Sequence, residues 1–370
     1  MDSPDDRYRE ESGYTVLAPI ESIQLTRVFN QTMKETMMLN RRQALKTAVA
    51  GAAVLLTGTA RSQATVNLRL AHDSPVSTPW HTGIVKMTEL LRQRSNGRIN
   101  IRVYPSAQLG DTREIAELTK TGTIDMALLT AGVAASFVPS MNLFGLPFLF
   151  SNSEQARALY VGDAGRRLMQ DVDAAGFKGL GFNVLVFRGP MNSKRPLSTP
   201  ADMAGLKIRL QQVPIHLDTY RALGASPVAL PYSEVYSAAQ SGVIEGAEGA
   251  ASGLFGPKFH EVMGFYSTLP VFINTCLLVI SQKAWNALSP EQRQLLEKVA
   301  AEGNEIIHQE FFAVDKTAVE RMEAHGTKIN KGPFDLKPWR AAVESVYAKY
   351  VPGLPKSGQD IVADLRKAWG

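Results

Sequence analysis

PEQRQLLEKVAAEGNEIIHQEFFAVDKTAVERMEA, residues 290–324, contains no proline after its first residue and only one glycine, Gly303. Its apolar residues recur at helical spacing, and the residues that open it, from Ser289 to Gln292, come close to a capping box. At 1.5 Å per residue, a helix of this length would measure about 50 Å, whereas a small domain is about 30 Å across. The helix must therefore break near Gly303 or bridge two domains. We expect a bridge, or two collinear helices.

Strand and helix patterns alternate through the rest of the chain. Strands are expected where apolar and polar residues alternate or where a short apolar run occurs, and helices where the spacing and the caps fit. The main predicted strands are 66–70, 99–104, 124–129, 179–187, 206–211 and 277–280, and the main predicted helices are 152–175, 214–223 and 234–241. Repeated strand–helix–strand units with short loops predict an α/β fold with a largely parallel sheet.

The composition excludes several classes of protein. The 370 residues include 45% hydrophobic and 20% charged residues, with a net charge of +5. These values are typical of a soluble globular protein of about two domains. No basic cluster occurs, so we expect no nucleic-acid partner. The single cysteine, Cys276, rules out an internal disulfide, and its apolar strand favours a buried side chain over a nucleophile.

The N-terminal part of the chain has the pattern of an export signal. Residues 39–64, LNRRQALKTAVAGAAVLLTGTARSQA, combine a charged start, a short apolar stretch and a small-residue end. The pair Arg41-Arg42 resembles a twin-arginine signal, so the expected partner is the twin-arginine export machinery and the expected location is the periplasm. Because Ala44 stands where Phe is usual, an ordinary Sec signal remains the alternative.

The export signal sets the expected start of the mature protein. We predict a signal over 37–64 and a mature chain over 65–370. Met37 or Met38 would be a natural initiator, so residues 1–36 are interpreted as a non-native or disordered extension.

No catalytic or metal-binding motif survives inspection. A phosphate-binding loop and a nucleophile elbow are both missing from the sequence, and the six histidines are scattered. We therefore predict no cofactor, no metal and no enzymatic activity. Glu245 and Glu248, three residues apart, could serve as an acid–base pair. A periplasmic enzyme that acts on a carboxylate thus remains an alternative.

Two arginines are candidates for binding an anion. Arg209 lies in an alternating strand whose apolar residues point the other way, which fits either a ligand site or a solvated strand face. Arg188 ends an apolar strand and precedes Gly189-Pro190, and ligands of α/β sheets bind at the carboxyl ends of strands. Each guanidinium can form paired hydrogen bonds with a carboxylate. An exported α/β protein with these residues suggests solute capture.

A series of short motifs then carries a family resemblance over almost all of residues 66–325. In order, they are LAHDSPVSTPWH (70–81), NGRINIRVYPSAQLG (96–110), TGTIDM (121–126), LPFLF (146–150), SKRP (193–196), DMAGLKIR (202–209), GASPV (224–228) and GVIEGAE (242–248). In this order and spacing, they resemble the solute-binding subunits of tripartite ATP-independent periplasmic (TRAP) transporters, DctP type.

The resemblance implies a fold and a function. The fold would be a two-domain periplasmic-binding-protein fold with hinge strands and a long helix that spans both domains. Domain I would comprise 65–185 plus 275–314, and domain II 186–274 plus 315–370. The protein would capture an organic acid in the cleft and deliver it to the small and large permease subunits in the membrane. A ligand-binding subunit of a sensor system is a further alternative.

The resemblance also implies the residues of the site. Arg209 would pair with the carboxylate of the ligand, Arg188 would be a second arginine that faces it, Tyr232 would pack on it, and Asn274 would make a polar contact or a hinge hydrogen bond. The other expected ligand-binding residues are Glu248, His72, Asp73 and Thr130.

Two departures from the family pattern bear on the ligand. Gly249 stands where many acid binders have Asn. Thr130 and Val133 stand where members that bind sialic acid carry charged residues. The pocket is therefore expected to be less polar there, which points away from sialic acid and suits a smaller or partly apolar carboxylate, or a sugar acid.

Overall fold

The structure is a computed structural model that describes residues 65–367 and residue 369. The predicted signal and the extension before it lie outside the described residues. Ten strands are described: β1 (Val66–Ala71), β2 (Ile99–Tyr104), β3 (Met126–Thr130), β4 (Phe177–Asn192), β5 (Lys207–Leu210), β6 (Ser226–Ala229), β7 (Gly246–Gly249), β8 (Phe265–Ser267), β9 (Phe272–Ser281) and β10 (Lys328–Asn330).

Helices alternate with these strands and then dominate the C-terminal part. They are α1 (Pro79–Arg94), α2 (Thr112–Lys120), α3 (Ala131–Ala134), α4 (Ser153–Val161), α5 (Asp163–Ala174), α6 (Pro214–Ala222), α7 (Val235–Gln240), α8 (Ala251–Phe255), α9 (Gln282–Ala287), α10 (Pro290–Ala324), α11 (Leu336–Ala342), α12 (Glu344–Tyr350) and α13 (Lys356–Lys367).

Eight of these ten strands follow one path, in the order β2-β1-β3-β9-β4-β7-β5-β6, and β8 pairs with β4 and β10 off this path. At one end β1 runs parallel to β2 and β3, and at the other β5 runs parallel to β6 and β7. In the middle, β9 is antiparallel to both β3 and β4, and β4 is antiparallel to β7. The prediction of a largely parallel sheet is therefore correct at the two ends and wrong in the middle, where the chain crosses from one half to the other and returns.

Two strands make these crossings. β4 pairs with β9 from Phe177 to Arg188 and then with β7 and β8 from Gly189 to Asn192. Its pairing with β9 contains two register shifts, one of them between Asn183 and Val186. β4 and β9 are thus the hinge strands of a two-domain α/β fold. The predicted domain boundaries stay a prediction, with β4 changing partners just after the predicted boundary at 185.

The long helix forms as the sequence predicts. α10 runs unbroken from Pro290 to Ala324, and Ser289 and Gln292 form the capping box. Its first half packs on α1 and β4. Further along, Asp315 accepts hydrogen bonds from the backbone N–H and the hydroxyl of Ser252 in α8, both at 2.8 Å. The helix therefore connects both halves of the sheet, which confirms the predicted bridge.

Gly303 does not break α10 but allows a close helix crossing. A Cβ atom at Gly303 would lie 2.2 Å from Cγ of Met87 in α1, and a Cβ at Gly83 of α1 would lie 2.7 Å from Cα of Ile307. Each helix thus places a glycine where the other approaches. The alternative of a break at Gly303, which was not the expected one, is wrong, because this glycine serves helix packing.

The single helix predicted over 152–175 is wrong. It is two helices, α4 and α5, separated by Gly162 in an extended conformation. Gly165 lies so close to the preceding turn that a Cβ there would lie 2.0 Å from the Tyr160 carbonyl oxygen. Among residues 65–367, no helix is both long enough and apolar enough to span a membrane.

Candidate ligand-binding cleft

A cavity lies between the two halves of the sheet, against both hinge strands. All eight residues predicted from the sequence line it: His72, Asp73, Thr130, Arg188, Arg209, Tyr232, Glu248 and Asn274. They come from seven different strands or adjoining loops, so only the tertiary fold brings them together.

Arg188 and Glu248 form a buried ion pair. Nε of Arg188 donates to Oε2 of Glu248 at 2.8 Å, and Nη2 donates to Oε1 of the same carboxylate. The pairing of β4 with β7 brings these residues together, because Gly189 and Pro190 stand opposite Gly249 and Glu248. Glu248 thus neutralises Arg188 and occupies two of its donors. Nη1 of Arg188 lies 3.5 Å from Oε1 of Gln211.

Arg209 is equally buried but lacks such a partner. Its side chain is 3% exposed, and Nε donates to the backbone oxygen of Leu230 at 2.9 Å. Within the described part of the chain, no carboxylate oxygen lies within 4.0 Å of its guanidinium nitrogens. Burial lowers the pKa of Arg209 to about 10, which Glu248 and Asp73 oppose and Arg188 reinforces. The guanidinium is still charged at pH 7, so an anion in the cavity would compensate a buried cation.

Tyr232 borders the cavity beside Arg209. The Arg209 guanidinium carbon lies 5.7 Å from the centre of the Tyr232 ring, within the range of a cation–π contact. The hydroxyl donates to the backbone oxygen of Gly253. Burial raises the pKa of Tyr232, so the hydroxyl stays neutral. The anchored ring therefore presents an apolar face and contributes no charge.

Two buried polar atoms in the cavity wall lack a hydrogen-bond partner among the described residues. They are Oδ1 of Asn274, on β9, and Nδ1 of His72, which follows β1. Both side chains are almost fully buried. An unpaired buried polar atom costs about 1–3 kcal/mol, so a ligand that supplies hydroxyl groups would relieve this cost.

The histidine and the carboxylate beside β1 have perturbed pKa values. Burial, aided by the nearby His81, lowers the pKa of His72 to about 4, and Nε2 of His72 lies 3.2 Å from Nδ1 of His81. Burial also raises the pKa of Asp73, which the hydroxyl of Thr112 and the charge of Arg209 oppose. Asp73 accepts hydrogen bonds from Thr112 and Ser74, at 3.3 Å for Ser74.

Gln211 also belongs to the site but was not among the predicted residues, although a signal for it was present. Its Oε1 lies 3.3 Å from the Thr130 hydroxyl, and the side chain lines the cavity. In an alternating strand, residues two apart share a face, so Gln211 belongs on the same face as Arg209. Trp80 and Thr112 also line the cavity. No sequence pattern comparable to strand alternation indicated these two residues. Each lies at the start of a helix, and the position of that helix over the sheet depends on the tertiary fold.

The remaining candidates for chemistry have structural roles. Oε2 of Glu245 accepts from the backbone N–H of Lys207 at 3.1 Å, and its carboxylate pairs with Lys194 at 3.3 Å, outside the residues that line the cavity. Cys276 is buried as predicted, and burial raises its thiol pKa to about 12. Among the described residues, no group of three or more His, Cys, Asp or Glu side chains could hold a metal ion.

Comparison with known proteins identifies the family. The family model DctP, described as bacterial extracellular solute-binding protein, family 7, matches residues 70–352. The chain belongs to this family. It is a TRAP-type solute-binding protein, as the motifs in its sequence predicted.

Individual relatives agree with this assignment. The 2,3-diketo-L-gulonate-binding periplasmic protein YiaO of Escherichia coli is 28% identical over 321 residues, which cover 86% of this chain and 95% of YiaO. The C4-dicarboxylate-binding periplasmic protein DctP of Rhodobacter capsulatus is 30% identical over 261 residues, covering 70% of this chain and 78% of DctP.

A solved structure supports the fold of this TRAP-type protein. The periplasmic solute-binding protein of Xanthobacter autotrophicus with bound β-D-galacturonate is similar with a TM-score of 0.77 and 27% identity. The similarity covers 81% of this chain and 99% of the other.

Proposed function

We propose that this TRAP solute-binding protein captures a hydroxylated organic acid in the periplasm and delivers it to the small and large membrane subunits of its transporter. The observation that carries the ligand class is Arg209, a buried cation in the cavity without an anionic partner among the described residues. The unpaired atoms of Asn274 and His72 favour hydroxyl groups on the same ligand. Relatives named for a diketogulonate, a C4-dicarboxylate and a galacturonate all concern carboxylates.

In this proposal each predicted site residue has a role. Arg209 binds the carboxylate, and Tyr232 packs on the ligand. Asn274, His72, Asp73 and Thr130 contact its polar groups, while Nη1 of Arg188 offers a further donor. Glu248 holds Arg188 in position and compensates its positive charge. The site needs no cofactor or metal for this task.

The geometry favours binding over turnover. Both oxygens of Glu248 accept from Arg188, and Glu245 pairs with Lys194, so neither carboxylate is available as a general base. We therefore infer that the protein returns its ligand unchanged, which chromatography of the ligand after prolonged incubation would show.

The test compares ligand binding of two arginine variants. A thermal-shift screen over glucuronate, galacturonate, gluconate and C4-dicarboxylates first selects a ligand. Calorimetry then measures its Kd with Arg209→Ala, for which we expect a loss of at least about 100-fold, because a buried charge-assisted pair contributes about 3 kcal/mol or more. Arg221→Ala, which removes an exposed arginine of α6, serves as the control and should bind normally. Unchanged affinity in Arg209→Ala would rule out this assignment.

The route to the periplasm is part of the proposal. Residues 37–64 carry the features of a cleavable signal, and the Arg41-Arg42 pair supports twin-arginine export. Cell fractionation of variants in this pair tests the route.

A further inference from the structure

A second cavity, of about 1200 Å³, lies between α4, α5 and α10 on a bulged part of β4. Within residues 65–367, no side chain lines both this cavity and the ligand cleft. The proposed function does not use it. We call it the α5–α10 cavity.

A buried polar group in the α5–α10 cavity lacks a partner. Asn183 is 3% exposed, and its Nδ2 donates to Oδ1 of Asn304 at 3.0 Å. Nδ2 of Asn304 donates in turn to the Leu180 backbone oxygen at 2.9 Å. Oδ1 of Asn183 has no hydrogen-bond partner among the described residues, and neither has Nδ1 of His308 on the same wall. The pair of asparagines is thus held in one orientation that leaves an acceptor for a donor in the cavity.

The other walls combine aromatic rings with cations. The rings of Tyr160 and Phe182 stack, with centroids 4.7 Å apart and planes at 29°. Arg157 and Lys178 also line the cavity, paired with Glu305 at 3.4 Å and Asp173 at 3.0 Å. Arg166 is a third cation at this site, paired with Asp163, and its side chain is 69% exposed. Exposed ion pairs are weak, so these cations can turn to an anionic ligand at little cost.

We propose that the α5–α10 cavity binds an aromatic carboxylate that carries a hydroxyl or N–H group. The ring would pack against Tyr160 and Phe182, the carboxylate would face the cations, and the donor would reach Oδ1 of Asn183. This combination of an aromatic wall, three cations held only in ion pairs near the surface and one unpaired acceptor fits such a ligand better than a purely apolar or a purely anionic one.

The test uses 4-hydroxybenzoate as the probe, with the full mature protein. Its binding is measured by calorimetry and by ligand-observed NMR, with the main cleft saturated by the sugar acid selected above. We expect binding that the sugar acid does not displace. Benzoate, which lacks the hydroxyl donor, should bind about tenfold more weakly. Displacement by the sugar acid would place the probe in the main cleft, and equal affinity for benzoate would remove the role of Asn183; either result would overturn the proposal.

Two matched variants on α10 locate the site. Ala301 is exposed and lines the cavity, so Ala301→Trp should fill it and weaken probe binding at least tenfold. Ala313→Trp makes the same change at an exposed position of the same helix away from the cavity and should bind the probe normally. Equal binding by both variants would contradict the proposal. Sugar-acid binding in the main cleft is measured in parallel, so failure of the proposed function would be seen separately.

Discussion

The two buried arginines of the cleft differ in what balances their charge. Arg188 is matched by both oxygens of Glu248, whereas Arg209 contacts a backbone oxygen and the face of Tyr232 and has no carboxylate ion-pair partner among the described residues. The charge of Arg188 is therefore compensated within the protein, whereas the charge of Arg209 can still attract an anion. Although the cleft holds two arginines, we expect it to offer its ligand one cation without an ion-pair partner.

The Arg188–Glu248 pair predicts a large effect on stability. Glu248→Gln leaves Arg188 buried without its counter-charge, so the free energy of unfolding should fall by about 3 kcal/mol. Urea denaturation measures this change. Glu245→Gln, in the same GVIEGAE motif, loses only a partly exposed pair with Lys194 and should change stability by less than about 1 kcal/mol. Equal losses in the two variants would show that the buried pair has no special role.

His72 predicts how stability depends on pH. Its pKa is about 4 in the folded protein and about 6.5 when unfolded, so the unfolded chain binds more protons between these values. The stability that the neutral His72 contributes is therefore complete above pH 6.5. As the pH falls towards 4, the free energy of unfolding decreases by up to about 3 kcal/mol in total. Denaturation at pH 7.5 and pH 4.5 should therefore show a smaller pH effect in His72→Gln than in the wild type. Equal losses of stability between pH 7.5 and pH 4.5 in His72→Gln and in the wild type would contradict this prediction.

The sequence was sufficient to predict on which face of a strand a side chain lies, but not which other residues that side chain contacts. Strand alternation predicts the face of Arg209, and it would have predicted Gln211 too. The partner of Arg188 was not predictable, because Glu248 lies on a distant strand that only the pairing of β4 with β7 brings alongside. The resemblance to a family added the other six expected ligand-binding residues to the two arginines, and all eight line the cavity. It did not supply the ion pair that separates the roles of the two arginines.

At the level of elements, local signals predicted the beginnings and ends of helices well and their interruptions poorly. The capping box at Ser289 predicted the start of α10 because a cap involves only residues three apart. Gly162 was placed inside a single predicted helix and Gly303 was considered a possible break, yet only Gly162 separates two helices. The difference lies in packing: Gly303 faces Met87 of α1, which no local pattern records.

The crossing of α1 and α10 predicts that a small substitution will be costly. A Cβ at Gly83 would lie 2.7 Å from a backbone atom of α10, which cannot turn aside as a side chain could. Gly83→Ala gains about 1 kcal/mol of helix propensity but incurs overpacking of about 1–3 kcal/mol. We therefore expect a net loss of up to about 2 kcal/mol in chemical denaturation. Val85→Ala, on the exposed side of α1, should stay within about 0.5 kcal/mol, and a stabilised Gly83→Ala would disprove the close contact.

At the level of the whole molecule, the long helix and the two hinge strands define the fold together. The sequence predicted the helix from its length and caps, and the α/β class from the alternation of strands and helices. The antiparallel centre of the sheet was not predicted, because the residues of a strand do not indicate whether it runs parallel or antiparallel to its neighbours. A chain that crosses between domains and returns must reverse direction there, and β4 and β9 do so. The ligand cleft lies against β4 and β9, because residues from both halves of the sheet come together there.

The proposed function requires the whole protein to reach the periplasm, and the Arg41-Arg42 pair predicts by which route. Twin-arginine export depends on the arginines themselves, whereas a Sec signal needs only positive charge at this position. The double variant Arg41→Lys/Arg42→Lys keeps the charge, so it should remove most of the protein from the periplasm if the route is twin-arginine. Immunoblots of cell fractions measure this, with Arg61→Lys, near the end of the signal, as the matched control that should be exported normally. Full export of the double variant would instead assign the signal to the Sec route, and the solute-binding function would stand unchanged.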